Sequence, residues 1–260
     1  MNLLAHGFAI AIAVCLLVLA AGCSGPPSAS GTATTARTEA GPSSGAAYHR
    51  PSAASSVALL ADSTRDWNVV ILGDSTGDDL DEFPFLAAEQ LRSAHGRTVI
   101  VHRWMDGKGY SGEFTASGGN AQIHIWNGSV AGTTATYGAR NLAAMAPAGA
   151  DLVIVNYGHN YADPSQAKDG VSRLLEKIDE RFGTPPVLVV IQNPRNPETP
   201  QSLAVVEQLR ALAATRGYEV VDVYKAFKET GDVRPLLLDD IHPSPAGSRL
   251  WAETLMKWLS

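Results

Sequence analysis

The stretch "VVILGDSTGDD", residues 69–79, decides the fold of this chain and raises the first question about its chemistry. Four apolar residues and a glycine are followed at once by Asp74 and Ser75, and then by more acidic residues. An apolar run that stops at Gly-Asp-Ser predicts a buried strand that ends in a turn. Ser75 on such a turn is either a nucleophile or an ordinary loop serine, and the rest of the chain has to decide between the two.

Further apolar runs follow the first one. Several of them are apolar on both faces, as strands are in a parallel sheet that is covered on both sides. The six runs are "WNVVILG", "RTVIVHRW", "AQIHIWN", "ADLVIVNYG", "PPVLVVIQN" and "YEVVDVY".

Helical patterns separate most of these runs, and the alternation predicts an α/β fold with a mainly parallel sheet. Helices are expected at residues 82–95, 135–145, 165–182, 200–216 and 245–259. Residues 98–126 break the alternation, because the segment 105–120 is rich in glycine and too poor in apolar residues for a crossover helix. We expect an added hairpin or surface loop there.

The N-terminal quarter does not have the composition of a folded domain. Residues 1–22 contain the apolar run "FAIAIAVCLLVLAAG", which is short for a membrane span and typical of a secretory signal. Its end, "LAAGC", resembles a bacterial lipobox, which would make Cys23 the lipid-carrying first residue. Residues 23–65 are mostly Gly, Ala, Ser, Thr and Pro and predict a flexible linker, within which 55–63 could dock as a short element.

These features lead us to expect a folded domain at residues 66–260 that is exported and anchored to the cell membrane by lipid. The alternatives are a free secreted protein and an uncleaved N-terminal anchor. The net charge of −6, from 20 basic and 26 acidic residues, argues against nucleic-acid binding. Because Cys15 lies in the signal, a disulfide framework or a cysteine metal site is excluded, and we expect a monomer without a metal ion or cofactor.

Ser75 and His242 are the residues with the clearest capacity for acyl transfer. A serine hydroxyl needs a base to remove its proton, and His242 in "LLLDDIHPSPAG" is the candidate. Asp239, three residues before His242, can reach the imidazole on a tight loop, and Asp240 is the competing carboxylate. We expect Ser75 to lie on a turn leading toward the helix at 82–95, where free N–H groups and the helix dipole favour an anion.

Two further residues could donate hydrogen bonds to an oxyanion. Gly132 in "NGSVAGTT" has no side chain to block its N–H, and Asn160 in "YGHNY" carries an amide. Each lies after an apolar run, where parallel strands place active groups at one edge of the sheet.

The ordered set of Ser75, Gly132, Asn160 and His242 resembles the SGNH hydrolases, also called the GDSL family. Residues 73–75 resemble the first block of that family, 127–134 the second, 158–160 the third and 239–242 the last. The resemblance implies a flavodoxin-like three-layer α/β/α sandwich and an esterase that uses a Ser-His-Asp triad with a Ser/Gly/Asn oxyanion hole. Gly109 and Gly112 compete with Gly132 for the second block, and Tyr161 stands where the family usually has Asp.

Other interpretations of the same residues remain open at this stage. "GDSTG" also matches the nucleophile elbow of α/β-hydrolases, but too few residues precede it to build that fold. A calcium loop starting at Asp74 would need Gly where Asp79 stands and Glu where Phe85 stands, so we interpret the acidic run 78–82 as favouring the start of the next helix. A surface lipoprotein that binds carbohydrate or a protein partner without catalysis is the second functional hypothesis, with the aromatic residues near the hairpin as sugar platforms.

The substrate expected from the resemblance is a small-molecule or glycan ester with a short acyl or acetyl group. A polar hairpin favours such a substrate over a long acyl chain. The sequence does not determine the acyl group or the alcohol of the substrate.

Overall fold

The computed structural model of the protein describes residues 50–260, so the signal segment, Cys23 and most of the predicted linker lie outside the described residues. The strands are β1 Trp67–Gly73, β2 Arg97–Met105, β3 Gly109–Ala116, β4 Gly119–Asn127, β5 Leu152–Asn156, β6 Val187–Ile191 and β7 Glu219–Asp222. They form one seven-stranded sheet in the order β3-β2-β4-β1-β5-β6-β7. All neighbouring pairs are parallel except β2 and β3.

Helices cover both faces of this sheet. They are α1 Ala53–Val57, α2 Phe83–His95, α3 Ala135–Met145, α4 Pro164–Phe182, α5 Pro200–Arg216, α6 Val223–Lys228 and α7 Pro245–Met256, with short 3-10 turns at Ala58–Ala61 and Arg234–Leu236. Alternate residues of β1 divide between two cores: Val69 and Ile71 pack with α2, α6 and α7, whereas Val70 and Leu72 pack with α3, α4 and α5. The predicted three-layer sandwich with a mainly parallel sheet is therefore confirmed.

Local signals in the sequence account for the helix boundaries. Asp163 caps α4 by accepting the Ser165 N–H, Pro164 follows it, and Gly183 ends the helix with φ 68°. Thr199 and Ser202 form a capping box at the start of α5. Asx and Ser/Thr caps, a proline in the first turn and a left-handed glycine at the end are all local features. The predicted bounds of α3 and α5 consequently agree with the observed ones.

The segment 98–126 forms the predicted hairpin. β3 runs antiparallel to β2 and returns the chain to the beginning of that strand. The next strand, β4, can then pair in parallel with the opposite side of β2 without a crossover helix. The Gly-rich segment thus takes the place of a helix in an otherwise alternating fold.

The short element that was expected to dock at 55–63 is confirmed: α1 and the 3-10 turn after it are helical, and Ala53 and Leu60 are buried in the core. Two other expected boundaries were wrong. The last apolar run was expected to continue as a strand to 224, but Asp222 accepts the Lys225 N–H and starts α6. The last helix was expected to reach 259 but ends at Met256. None of the helices within residues 50–260 has the length and apolar character that crossing a bilayer requires.

Candidate active site

The sheet topology brings the predicted site residues to one edge. β1 lies between β4 and β5, with Ile71 opposite Asn127 and Gly73 opposite Asn156. The chain leaves β1 toward α2 on one face and leaves β4 toward α3 on the other face. A crevice forms where neighbouring strands send their connections to opposite faces of a parallel sheet. The loops after β1, β4 and β5 therefore meet around Ser75.

Ser75 lies in a turn in which the Gly77 N–H donates to the Asp74 carbonyl at 3.2 Å. The helix expected at 82–95 is confirmed as α2, but the expected contribution of its dipole to Ser75 was wrong, because α2 starts only at Phe83. The helix dipole acts within its first turn and does not reach Ser75. The Ser75 N–H nevertheless has no acceptor among residues 50–260, so it is available to a ligand.

A chain of two hydrogen bonds joins Ser75, His242 and Asp239. Ser75 Oγ lies 2.9 Å from His242 Nε2, and His242 Nδ1 lies 2.7 Å from Asp239 Oδ2. These distances are in the range of good hydrogen bonds. A carboxylate only accepts, so Nδ1 carries the proton and Nε2 offers its lone pair to the serine hydroxyl.

The geometry also distinguishes the two acidic residues before His242. The second oxygen of Asp239 accepts the N–H groups of Ile241 and His242, each at 2.8 Å. The hydrogen bond from the His242 backbone N–H contributes most to lowering the pKa of Asp239 to about 2. The imidazole and the Ile241 N–H lower this pKa further. Asp240 contributes its backbone carbonyl to the Asn196 N–H, and no hydrogen bond links its carboxylate to the imidazole in the described chain.

Gly132 and Asn160 lie in loops that contact each other. The Asn160 amide donates one hydrogen to the Thr133 carbonyl at 2.8 Å, which leaves its second hydrogen for another acceptor. Gly132 has φ 71°, a left-handed conformation that favours glycine, and its N–H has no acceptor within residues 50–260. Both loops follow strands that flank β1.

The competing glycines are separated from Ser75 by the sheet itself. Gly109 and Gly112 lie on β3 at the sheet edge, with β2 and β4 between them and β1. Tyr161, the departure in the third block, places its hydroxyl 3.1 Å from the N–H of Ala135 at the start of α3. It therefore ties the loop after β5 to the loop after β4.

A buried polar network under Ser75 is the part of the site that sequence reasoning missed. Asp74 is fully buried, and the Gln192 amide lies 3.0 Å from both of its oxygens. Burial raises the pKa of Asp74, while the hydrogen bonds from Gln192 and Thr76 oppose that rise. The Asn156 amide donates to Thr76 Oγ1 at 3.0 Å. The sequence contained one signal of this network, an amide side chain at the end of a β-strand or just after it. Asn156 is the first case and Gln192 is the second.

A second set of contacts holds the loop of His242. The Asn193 amide donates to the Ile241 carbonyl at 3.0 Å, and its oxygen lies 3.2 Å from His159 Nε2. Burial lowers the pKa of His159 to about 4, which keeps this imidazole neutral. The loops after β5 and β6 therefore fix the position of the histidine loop.

The acidic run forms one wall of the crevice beside Ser75. Asp78, Asp79, Asp81 and Glu82 line this crevice together with His242. The sequence interpretation of these acids as helix-start residues was incomplete: Asp78 accepts the Ala131 N–H at 2.9 Å and so joins the loops after β1 and β4. Burial raises the pKa of Glu82 to about 8.

The aromatic residues near the hairpin pack mainly against one another. Ring centroids of Trp104 and Tyr110 are 5.1 Å apart, and those of Tyr110 and Trp126 are also 5.1 Å apart. Phe114 contacts Phe85 at a centroid distance of 5.9 Å. These contacts give the aromatic residues a structural role in the hairpin.

Residues 71–250 match the model of the GDSL-like Lipase/Acylhydrolase family. The chain belongs to this family. The match covers all four blocks quoted from the sequence and confirms the resemblance to SGNH hydrolases and the assignment as a hydrolytic enzyme. No curated protein matches the chain.

Solved structures of a lipase/acylhydrolase and of two esterases share the fold. The lipase/acylhydrolase from Enterococcus faecalis is 18% identical, with 74% of this chain and 94% of that chain covered and a TM-score of 0.55. An acetyl xylan esterase is 15% identical, with coverages of 74% and 100% and a TM-score of 0.55. A two-domain esterase active on acetylated mannans is 17% identical, with coverages of 80% and 52% and a TM-score of 0.60. At these identities the likeness supports the fold alone.

Proposed function

We propose that this GDSL-like enzyme is a serine esterase that hydrolyses acetyl or other short acyl esters, with Ser75, His242 and Asp239 as its catalytic triad. The observation that carries the proposal is the pair of hydrogen bonds of 2.9 and 2.7 Å that joins the three side chains. A serine, a base and an orienting acid in this order are the arrangement that activates a hydroxyl group.

The first half of the reaction forms an acyl-enzyme. Ser75 Oγ attacks the ester carbonyl carbon while His242 Nε2 takes the hydroxyl proton, and Asp239 stabilises the imidazolium that results. When the tetrahedral intermediate collapses, the bond to the alcohol oxygen breaks and His242 returns the proton to that oxygen. In the second half, His242 deprotonates a water molecule that attacks the acyl-enzyme, and Ser75 leaves with the proton.

Three donors are proposed to hold the oxyanion of the intermediate. They are the Ser75 N–H, the Gly132 N–H and the Asn160 amide hydrogen that is not used by Thr133. Donors that are already fixed in position stabilise charge that develops in the transition state, and each contributes roughly 10²- to 10³-fold in rate. The contact between Asn160 and the loop of Gly132 supports their joint action.

The proposed substrate class is an acetylated or short-chain ester of a small molecule or a glycan. Two solved structures of this fold are an acetyl xylan esterase and an esterase active on acetylated mannans. The crevice beside Ser75 is lined largely by polar and charged residues, which suits a hydroxylated alcohol better than a long acyl chain.

Labelling and turnover test this proposal directly. We expect a fluorophosphonate probe to label the wild type but not Ser75→Ala, and 4-nitrophenyl acetate turnover to fall to background in Ser75→Ala. An acyl series from acetate to decanoate should show a maximum at the short end. If Ser75→Ala is labelled and turns over as the wild type does, the nucleophile has been assigned wrongly.

We also propose that the enzyme works outside the cytoplasm, anchored through lipid on Cys23. The apolar run of residues 1–22 and the sequence "LAAGC" support this. Metabolic labelling with a radioactive fatty acid should mark the wild type and not Cys23→Ser. Equal labelling of both proteins would rule out Cys23 as the anchor.

A further inference from the structure

A cavity of about 230 Å³ is lined by the loop after β5, the loop after β6 and helix α5. Its walls are mainly apolar and come from Tyr161, Ile191, Val205, Val206, Leu209 and Tyr224. Polar side chains also line it, among them His159, Asn193 and Arg195. Apolar walls with a few fixed polar groups are typical of a small-molecule site.

Three contacts connect this cavity to the proposed catalytic residues. Gln192, in its wall, binds Asp74, the neighbour of Ser75. Asn193 binds the carbonyl of Ile241, the neighbour of His242. His159 directly precedes Asn160 in the chain. The cavity therefore lies next to the residues that hold Asp74 and the loop of His242 in place.

Arg195 is unusual among the arginines in the described part of the chain. Its Nε is buried and has no hydrogen-bond acceptor within residues 50–260, where its guanidinium also forms no ion pair. The other arginines there without such a bond, Arg140, Arg173 and Arg249, are all exposed to solvent. The two terminal nitrogens of Arg195 are accessible and also have no acceptor within residues 50–260, so they are the donors that an anionic ligand would contact.

The charges around the crevice and the cavity favour one orientation of an anionic ligand. Asp78, Asp79 and Asp81 line the crevice beside Ser75 and repel an anion there. Arg195 lies at the cavity, where its positive charge helps to lower the pKa of His159 and keeps that imidazole neutral. A substrate with one negative end is therefore favoured in the orientation that directs this end to Arg195.

We propose that Arg195 and this cavity form a subsite for a carboxylate carried by the ester substrate. The guanidinium offers parallel N–H donors whose spacing matches the two oxygens of a carboxylate. The apolar walls would bind the short carbon chain or ring between the carboxylate and the scissile ester. This inference rests on the proposed esterase function and adds a substrate class to it.

The experiment compares matched charged and neutral esters in the wild type, Arg195→Gln and the control Arg140→Gln. 4-Nitrophenyl hydrogen glutarate carries its carboxylate on the acyl side, and 4-nitrophenyl butyrate is its neutral partner. 4-Acetoxybenzoate carries the carboxylate on the leaving-group side, and its methyl ester is the neutral partner. The readout is the ratio of kcat/KM for each acid to that for its neutral partner.

We expect Arg195→Gln to lower this ratio tenfold to a hundredfold for one of the two acids, mainly by raising KM for that acid. The acid that is affected identifies the side of the ester that enters the cavity. Arg140→Gln should keep the wild-type ratio, and Arg195→Lys should retain part of it. Raising the salt concentration should reduce the wild-type ratio as well.

Unchanged ratios for both acids in Arg195→Gln would overturn the proposal, as would an equal loss in Arg140→Gln. A wild type that turns over no ester and takes no fluorophosphonate label would instead reject the esterase function itself. If Arg195→Gln unfolds at a much lower temperature, the ratio in the better-folded Arg195→Lys at low and high salt provides the same test.

Discussion

We expect the stability of this enzyme to depend less steeply on pH when His159 is replaced by phenylalanine. His159 lies in the loop after β5, with Nε2 3.2 Å from the Asn193 oxygen. Both hydrogens of the Asn193 amide are directed at backbone carbonyls, so His159 must donate through Nε2. Burial, followed by the neighbouring positive charge of Arg195, lowers the pKa of His159 from 6.5 to about 4.

The sign and size of the effect follow from proton linkage. As the pH falls below 6.5, the unfolded chain binds a proton at this histidine while the folded chain does not, so acid favours unfolding. At pH 5 the unfolded state gains about 2 kcal/mol from this one group, and at pH 8 it gains almost nothing. His159→Phe removes this contribution from the folding equilibrium.

The measurement is urea unfolding at pH 8 and pH 5, followed by tryptophan fluorescence, for both proteins. The wild type should lose about 2 kcal/mol more unfolding free energy between the two pH values than His159→Phe loses. Losing the bond to Asn193 lowers the stability of the variant at both pH values and cancels in the difference. An identical pH dependence in the two proteins would refute the neutral state of the partly buried His159.

Three further predictions concern the proposed catalytic groups and their support. Asp239→Asn should lower kcat by the order of 10³- to 10⁴-fold, because an amide hydrogen facing His242 Nδ1 forces the imidazole proton onto Nε2. The kcat of Asp240→Asn should stay within a few-fold of the wild-type value. A larger loss in Asp240→Asn than in Asp239→Asn would reassign the acid. Gly132→Ala, at φ 71°, should strain the loop by about 1–2 kcal/mol and lower kcat at least tenfold. The control is Gly149→Ala, at φ 85° in the loop before β5, which should lower the melting temperature but not kcat; equal kcat losses would contradict the donor role. Gly247→Ala places a methyl group against the backbone carbonyl of Leu236 in the preceding 3-10 turn. The variant should lose about 1–3 kcal/mol of unfolding free energy, measured by thermal unfolding. An unchanged melting temperature would show that this turn is free to move.

The strands and helices were predictable because their signals are local. β1 is an apolar run that stops at a glycine, and α5 begins with Thr199-Pro200 and ends before Gly217. The prediction of the last strand failed because a single residue belongs to both a strand and a helix. Asp222 ends β7 and caps α6, so the apolar run that continues past it is divided between a strand and a helix.

The residue types of the candidate site were also accessible from the sequence, in contrast to their surroundings. Ser75 and His242 follow recognisable patterns, and the structure places their side chains 2.9 Å apart although they are 167 residues apart in the chain. The acidic run 78–82 was interpreted only as a helix start. Its position as a crevice wall depends on the loop after β4, which the sequence does not place next to it.

The sequence by itself determined the order of strands and helices, the apolar faces that bury them and the presence of a serine, an acid and a base in a familiar order. The tertiary structure alone decided which polar groups meet. Gln192 reaches Asp74 across 118 residues because β5 and β6 follow β1 in the sheet, so that the ends of these strands meet at one edge. The same packing leaves Arg195 with a buried N–H beside an apolar cavity. Hydrophobic periodicity and helix caps act between near neighbours in the chain, whereas the pairing of buried polar groups depends on which strand ends become neighbours in space.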